Sequence, residues 1–114
     1  MDCIFCRIAS GEIPATVVAR SEHAMAFRDL GPQAPTHVLV IPTRHVASAA
    51  HLSGADRGPV FGEVMALAVQ VAADLGLADA GYRLVVNTGK DGGQSVDHLH
   101  VHLLGGRRMA WPPG

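Results

Sequence analysis

Residues 98–104 read His98-Leu99-His100-Val101-His102-Leu103-Leu104, with a histidine at every second position. Successive side chains of a β-strand point to opposite faces, so this spacing places three imidazoles on one face and three apolar side chains on the other. A row of buried polar rings is costly unless each ring finds a partner. Because imidazole titrates near neutral pH, the row indicates a face that performs chemistry rather than one that only packs.

The composition of the 114-residue chain limits its class. Hydrophobic residues make up 48% and the net charge is −1, so one core can form and nothing favours binding to nucleic acid or to an anionic membrane. No apolar run approaches the roughly 20 residues of a membrane span, and the N-terminus lacks a signal-peptide pattern. The two cysteines do not make a disulfide framework. We expect a single domain over residues 1–114, located in the cytoplasm.

Apolar periodicity and chain breakers predict the elements. A short helix is expected within Cys3–Ser10, a turn or two of helix at His45–Leu52 and one long helix at Pro59–Gly76. Five strands are expected at Thr16–Arg20, Ala24–Asp29, His37–Ile41, Tyr82–Asn87 and Asp97–Leu104. Short links between successive strands favour an α+β fold, with an antiparallel five-stranded sheet and the long helix packed on it.

A glycine-rich loop, Asn87-Thr-Gly-Lys-Asp-Gly-Gly-Gln-Ser95, leads into the histidine run. Glycines allow several backbone N–H groups to converge on an anion, and Asn87 and Ser95 add neutral donors at the two ends. Asp-Gly and Gly-Gly pairs are also ordinary hairpin turns. Next to three histidines, the loop predicts a phosphate-binding cradle.

Four more residues have both a functional and an ordinary interpretation. Asp29 is either a turn former or an acceptor for ribose hydroxyls, and His37 is either a solvated strand end or part of the histidine site. Cys3 and Cys6 form a C-x-x-C pair, but a thioredoxin-type redox pair would need a preceding strand. The pair is therefore half of a tetrahedral zinc site, with His45 and His98 as partners, or two ordinary thiols.

Three stretches of the chain resemble the histidine triad (HIT) family, in particular its Hint branch. They are residues 92–107 (GGQSVDHLHVHLLGGR), residues 29–42 (DLGPQAPTHVLVIP) and the tail Trp111-Pro112-Pro113-Gly114. The resemblance spans nearly the whole chain in order. It implies a HIT domain that acts on the α-phosphate of purine nucleotides, AMP or GMP conjugates, and needs no cofactor for catalysis.

The resemblance also implies a role for each matching residue. His100 would be the nucleophile that forms a nucleotidyl-histidine, and His98 is the first histidine of the triad. His102 and Ser95 would contact the phosphate and the leaving group, while His37 would support proton transfer. The other nucleotide-binding residues would be Asp29 at the ribose, Asn87, Gly93 and Gln94 at the phosphate, Ile4, Phe5, Ile8, Phe27 and Leu30 around the base, and Trp111 in the tail.

Hint proteins are dimers, so the resemblance implies a homodimer with an extended sheet. The long helix and the strand Tyr82–Asn87 would then form the contact, and the tail would reach toward the neighbouring site. The C-x-x-C pair departs from animal Hint proteins but is similar to that of bacterial HIT proteins and of galactose-1-phosphate uridylyltransferases. It implies a structural zinc held by Cys3, Cys6, His45 and His98. Asp97 is a second departure from the Hint pattern.

The leading hypothesis is a phosphoramidase that cleaves the P–N bond of adenosine 5'-phosphoramidates. A dinucleoside polyphosphate hydrolase is the nearest alternative, and the tail at residues 111–114 favours the Hint branch over it. A nucleotide-sensing or scaffold dimer without physiological turnover is an alternative of another class. From the spacing alone, a zinc enzyme built on the three histidines is a further one.

Overall fold

The computed structural model describes residues 2–114. Along these residues the elements are α1 (Ile4–Ala9), β1 (Val17–Arg20), β2 (Ala24–Arg28), β3 (Thr36–Pro42), a 3-10 turn (Ala49–His51), α2 (Gly54–Asp74), β4 (Tyr82–Val85) and β5 (Val101–Gly105). The strands form one antiparallel sheet in the order β1-β2-β3-β5-β4. The predicted α+β class, the five strands, the long helix and the short N-terminal helix are confirmed.

The sheet is covered on both faces, which explains why β3 reads as a continuous apolar run. On one face, Val38 and Val40 pack with Val101 and Leu103 beneath α2. The opposite face carries Leu39 and Ile41 of β3 and Met25 and Phe27 of β2, and it is covered by Cys3, Phe5 and Ile8 at the N-terminus. The functional residues lie on this second face, because His102 pairs in register with Leu39.

Helix α2 starts five residues earlier than predicted, at Gly54 instead of Pro59. The Ser53 carbonyl accepts the N–H groups of Asp56 and Arg57, and the acidic Asp56 complements the positive end of the helix. The predicted C-terminus at Gly76 is confirmed, since Gly76 has φ +75° and the last carbonyls are closed by a Schellman motif. No helix within residues 2–114 is long and apolar enough to cross a bilayer.

The histidine strand is shorter than predicted, because β5 begins at Val101 rather than at Asp97. Upstream of that point the Leu99 N–H leaves the β3 ladder and donates to the Val46 carbonyl at 2.7 Å. The alternation nevertheless continues, since Leu99 is buried against Val46 and Leu52. Segment 98–100 is thus held by the chain that follows β3, and this draws His98 away from the other two histidines.

Several other boundaries differ from the prediction. β2 ends at Arg28 and β4 at Val85, so Asp29 and Asn87 lie just beyond their strands. The helical turns expected at His45–Leu52 shrink to the three-residue 3-10 turn, which is capped by the Ser48 hydroxyl on the Ala50 N–H. His45 therefore lies in irregular chain, where it is free to turn toward the N-terminus.

Candidate functional site

A cavity of about 270 Å³ opens on the α1 face of the sheet. Its lining has an apolar part and a polar part, and the polar part includes a carboxylate, a hydroxyl and two imidazoles. Of the predicted site residues, it brings together Ile4, Phe5, Ile8, Phe27, Asp29, Leu30, Ser95, His100 and His102. Unpredicted lining comes from Ile13, Pro14, Ala15, Thr16, Arg28, Leu39 and Val96. Of these, only Leu39 belongs to the apolar run of β3 that the sequence shows.

His100 presents an unprotonated nitrogen at this cavity. Its Nδ1 lies 2.7 Å from the carbonyl oxygen of His98, and a carbonyl can only accept, so Nδ1 carries the proton. In the neutral ring the Nε2 lone pair is then free. The ring is 3% exposed and its edge meets the Phe5 ring at a centroid distance of 5.2 Å. His100 is thus a buried, oriented imidazole whose remaining nitrogen is a base or a nucleophile.

His102 has the opposite tautomer, set by a relay of hydrogen bonds. The backbone N–H of Gln33 donates to Nδ1 of His37 at 3.0 Å, so the neutral His37 ring carries its proton on Nε2. That Nε2–H lies 2.9 Å from Nδ1 of His102, which accepts it. The proton of His102 is therefore on Nε2. The His100 and His102 ring centroids are 5.0 Å apart, so a ring with an acceptor nitrogen neighbours a ring with a donor N–H.

Burial keeps both relay rings neutral. It lowers the pKa of His102 to about 4, helped by the neighbouring His100 and His37 rings and opposed by Asp29. Burial also lowers the pKa of His37, although the Asp29 carboxylate 3.5 Å away raises it. At pH 7 the pair therefore offers a neutral N–H donor rather than a cation.

Asp29 combines the two interpretations suggested by the sequence. One carboxylate oxygen accepts the Gly31 N–H at 2.7 Å and shapes the turn after β2. The other oxygen lies beside His37, and the side chain lines the cavity. A turn former can thus also accept hydrogen bonds from a ligand.

The glycine-rich loop does not form the predicted cradle of converging N–H groups. The N–H of Gly93 donates to Lys90 and that of Gln94 to Gly89, so both are used inside the loop. The Gln94 side chain braces the loop as well, donating to the carbonyls of Ala47 and Val96 and accepting the Gly89 N–H. The cavity is lined by Ser95 but not by Asn87, Gly93 or Gln94. The ordinary hairpin interpretation therefore describes most of this loop.

Trp111 lies away from the cavity of its own chain. Its side chain is 81% exposed, and the Arg83 guanidinium lies 5.9 Å from its ring centroid. Arg83 also donates to the Ala110 carbonyl at 2.9 Å, which fixes the tail beside strand β4.

Cys3, Cys6, His45 and His98 form a second cluster, in which the four ligand atoms all lie within 4.8 Å of one another. Nε2 of His98 donates to the Pro42 carbonyl at 2.9 Å, which leaves its Nδ1 lone pair free. This nitrogen lies 3.3 Å from Cys3 Sγ and 3.5 Å from Cys6 Sγ, and Cys6 Sγ lies 3.4 Å from Nδ1 of His45.

These residues fit a tetrahedral metal with two sulfur and two nitrogen ligands. One lone pair can accept only one thiol proton, so two thiols around His98 Nδ1 suit a shared cation better than two hydrogen bonds. Zinc–sulfur and zinc–nitrogen bonds of about 2.3 and 2.0–2.1 Å put neighbouring ligand atoms roughly 3.3–3.8 Å apart, as observed. Burial and the adjacent Cys3 raise the pKa of Cys6, a penalty that a bound cation would offset.

The remaining metal interpretations do not fit. Asp29, His37 and His102 also lie within 4.8 Å of one another, but His37 Nε2 carries a proton and cannot ligate while Gln33 holds its Nδ1. Within residues 2–114, the three triad histidines do not have ligand nitrogens that all lie within 4.8 Å of one another. A zinc enzyme built on the three histidines is therefore a wrong hypothesis, because His98 faces the thiols and the other two rings face the cavity.

Two groups that orient the site were missed by sequence reasoning. The Pro42 carbonyl sets the tautomer of His98, and the Gln33 N–H sets that of His37. Both are backbone groups, and backbone atoms leave no trace in residue type. They could have been identified only from the three-dimensional fold, which shows which backbone groups lie next to each histidine.

The chain is similar to known proteins over almost its whole length. A model of the HIT domain family matches residues 10–109. A 14 kDa zinc-binding protein of Zea mays is 49% identical over 112 residues, covering 97% of this chain and 87% of that protein. A HIT-like protein of Synechococcus elongatus is 48% identical over 113 residues, covering 99% and 97%. The crystal structure of a HIT family hydrolase from Legionella pneumophila Philadelphia 1 is 50% identical, with a TM-score of 0.95 and coverage of 99% and 100%.

The lowered pKa of His102 predicts a specific acid sensitivity. An unfolded chain takes up a proton on this ring below about pH 6.5, whereas the folded protein does so only below about pH 4. The free energy of unfolding should therefore fall as the pH drops through this window, because the unfolded chain binds up to one proton more than the folded protein. Urea unfolding of His102→Asn should show a shallower fall than the wild type between pH 6.5 and 4.

The matched control for this experiment is His23→Asn, since the His23 side chain is 70% exposed. Its profile should follow that of the wild type. Loss of any bound metal at low pH is common to all three proteins and cancels in the comparison. Parallel profiles for the wild type and His102→Asn would show that His102 is not held neutral by the fold.

Proposed function

The chain belongs to the HIT domain family, and we propose that it is a purine nucleotide-binding hydrolase that cleaves the P–N bond of adenosine 5'-phosphoramidates through a nucleotidyl-histidine. One observation carries the proposal: His100, with its Nε2 unprotonated, and His102, with a proton on Nε2, line the same cavity with ring centroids 5.0 Å apart. The Legionella relative, described as a HIT family hydrolase, supports hydrolysis.

The first step joins His100 to the nucleotide. The Nε2 lone pair of His100 attacks the α-phosphorus and forms a P–N bond, while the P–N bond to the leaving amine breaks. The leaving nitrogen departs as a neutral amine by taking up one proton, which solvent supplies through the Nε2–H of His102. His102 therefore stays neutral, and His100 gains one positive charge. The bond from His37 to Nδ1 of His102 holds that ring in place throughout.

The second step releases the nucleotide. Water attacks the phosphorus while the bond between phosphorus and His100 breaks and its electron pair returns to the ring. The proton that water loses passes to solvent through His102. The products are the nucleoside monophosphate and the free amine, and both rings regain their starting tautomers. We assign the Ser95 hydroxyl and the N–H of His102 to the phosphate oxygens, where negative charge develops.

The rest of the cavity supports a purine nucleoside as the bound group. We assign the base to the apolar part of the cavity, which is lined by Ile4, Phe5, Ile8 and Phe27. Leu30, whose side chain is 98% exposed, is assigned to the cavity entrance. Asp29, which also lines the cavity, is assigned to the ribose hydroxyls. We assign Asn87 and the Gly93–Gln94 backbone at most to water-mediated contacts, because the N–H groups of Gly93 and Gln94 are already bonded.

Two other functions use the same residues. A dinucleoside polyphosphate hydrolase would place a second nucleotide beyond the phosphate, yet about 270 Å³ accommodates one nucleoside monophosphate. A nucleotide-sensing or scaffold dimer would need the binding residues but not the free Nε2 of His100. The tautomer pair favours the hydrolase.

We propose that Cys3, Cys6, His45 and His98 hold a structural zinc, for which the zinc-binding relative of Zea mays is a precedent. Four protein ligands leave no open position, so such an ion would stabilise the fold and supply no Lewis acid to the reaction. No cofactor then takes part in catalysis. Thiolate ligands must stay reduced, which supports a cytoplasmic location.

We also propose a homodimer formed through α2 and strand β4. Strand β4 ends one side of the sheet, and an unpaired strand edge is a template for a second copy. The exposed Trp111 lies in the tail that runs beside this edge, and Val69 of α2 is 49% exposed. Pairing of two copies at β4 would extend the sheet and bring each tail toward the neighbouring cavity.

The role of His100 is tested by substitution. His100→Ala should lower the turnover of an adenosine phosphoramidate by several orders of magnitude, because the whole two-step route depends on this nucleophile. AMP should still bind with nearly normal affinity, because Asp29 and the apolar part of the cavity are unchanged. Ser95→Ala should cost roughly 10²-fold, typical of losing one stabilising donor. Mass spectrometry of quenched wild-type reactions should detect one AMP-sized adduct on His100.

His23→Ala, an exposed histidine outside the cavity, is the matched control and should keep full turnover. A panel of P–N, P–O–P and P–S compounds would rank the leaving groups. If His100→Ala retained more than a tenth of the wild-type rate, the chemistry would lie elsewhere. Binding of AMP without turnover of any compound in the panel would favour the scaffold function.

A further inference from the structure

We propose that Cys3 and Cys6 are positioning residues for the base pocket: metal binding through their thiols fixes helix α1 and thereby sets the affinity for the nucleotide. The inference rests on the proposed function, since it assumes that the cavity binds a purine nucleotide. It goes further in stating that metal and nucleotide bind cooperatively, although they share no ligand atom.

Helix α1 contributes to both sites. Cys3 and Cys6 point at His45 and His98, while Ile4, Phe5 and Ile8 of the same short segment line the cavity. The Phe5 ring contacts both sites at once, with centroid distances of 5.9 Å to His98 and 5.2 Å to His100. Any movement of α1 therefore changes the shape of the apolar part of the cavity.

Little besides the cluster fixes α1. A helix of six residues is unstable by itself in water. Its ion pairs, from Arg7 to Asp2 and Glu12, are local and exposed. Across described residues 2–14, every hydrogen bond to the body of the protein passes through the sulfur of Cys3 or Cys6. Apart from those sulfurs, only the packing of Phe5, Ile8 and their neighbours on the sheet holds this segment.

The nucleophile, in contrast, is held without the metal. His98 donates from Nε2 to Pro42, the Leu99 N–H donates to Val46, and His100 donates from Nδ1 to the His98 carbonyl. None of these bonds involves a thiol. Loss of the metal should therefore weaken binding of the base while leaving the reacting nitrogen in place.

The body of the protein should also stay folded without metal. The core between α2 and the sheet contains none of the four ligands. Its members, such as Val64, Val71 and Leu103, are fully buried on the far side of the sheet from α1. The effect of metal removal should thus be local to the N-terminal segment.

The first test measures the AMP dissociation constant by calorimetry for the zinc-loaded protein, for the protein stripped by a chelator, and for Cys3→Ser/Cys6→Ser. We expect AMP to bind about 10-fold more weakly without metal, within the 5- to 150-fold range usual for coupled sites. By reciprocity, saturating AMP should tighten zinc binding by the same factor in competition with a chelator. Hydrogen exchange of residues 4–9 should accelerate while that of α2 is unchanged.

Kinetics supply a readout that a general loss of stability would not move. Without metal, KM for the phosphoramidate should rise about 10-fold while kcat stays within about threefold, the pattern of lost uniform binding. Zinc-loaded Leu67→Ala is the matched control, because it weakens the α2 core without touching either site. It should unfold at a lower temperature yet bind AMP within twofold of the wild type.

Each outcome decides between the claims. The coupling would be overturned if the AMP affinity were equal with and without zinc, or if removal of zinc lowered kcat and left KM unchanged. The proposed function would stand in either case. Global unfolding of the metal-free protein in far-UV circular dichroism would overturn it as well, because the effect would then not be local to α1. Failure of the zinc-loaded protein to bind AMP at all would instead refute the proposed function, and the coupling with it.

Discussion

Two backbone carbonyls decide which nitrogen of a buried imidazole carries its proton, and the chemistry of both sites depends on that choice. The Pro42 carbonyl takes the Nε2 proton of His98, which turns the Nδ1 lone pair toward the thiols. The His98 carbonyl takes the Nδ1 proton of His100, which frees the opposite nitrogen for the cavity. Residues two apart in one segment thus perform different tasks, although their side chains are chemically identical.

Much of the fold could be predicted from local pattern, because it depends on local physics. Alternation at 98–104 identified the buried and the functional faces, and Gly76 marked the end of α2 at a left-handed cap. The predicted boundaries are wrong where a backbone group outside the element determines where it begins. β5 starts late because Val46 captures the Leu99 N–H, and α2 starts early because the Ser53 carbonyl nucleates its first turn. Neither partner is visible in a window of sequence.

The candidate site divides in the same way. Nine of the residues that line the cavity were predicted with the help of the resemblance to a family. The tautomers of the histidines, in contrast, follow from contacts such as that between Gln33 and His37. The predicted phosphate cradle failed because residue type does not show that the N–H groups of Gly93 and Gln94 are consumed inside the loop. The C-x-x-C pair, ambiguous alone, became a coherent tetrahedral cluster once His45 and His98 were beside it.

Long-range ¹H–¹⁵N NMR of the histidine rings at pH 7 tests the central claim most directly, since it identifies the protonated nitrogen of each imidazole. The arrangement predicts that His100 carries its proton on Nδ1, while His102 and His37 carry theirs on Nε2. Addition of AMP should leave this pattern intact. A His100 ring protonated on Nε2, or a His102 ring that is doubly protonated at pH 7, would contradict the account.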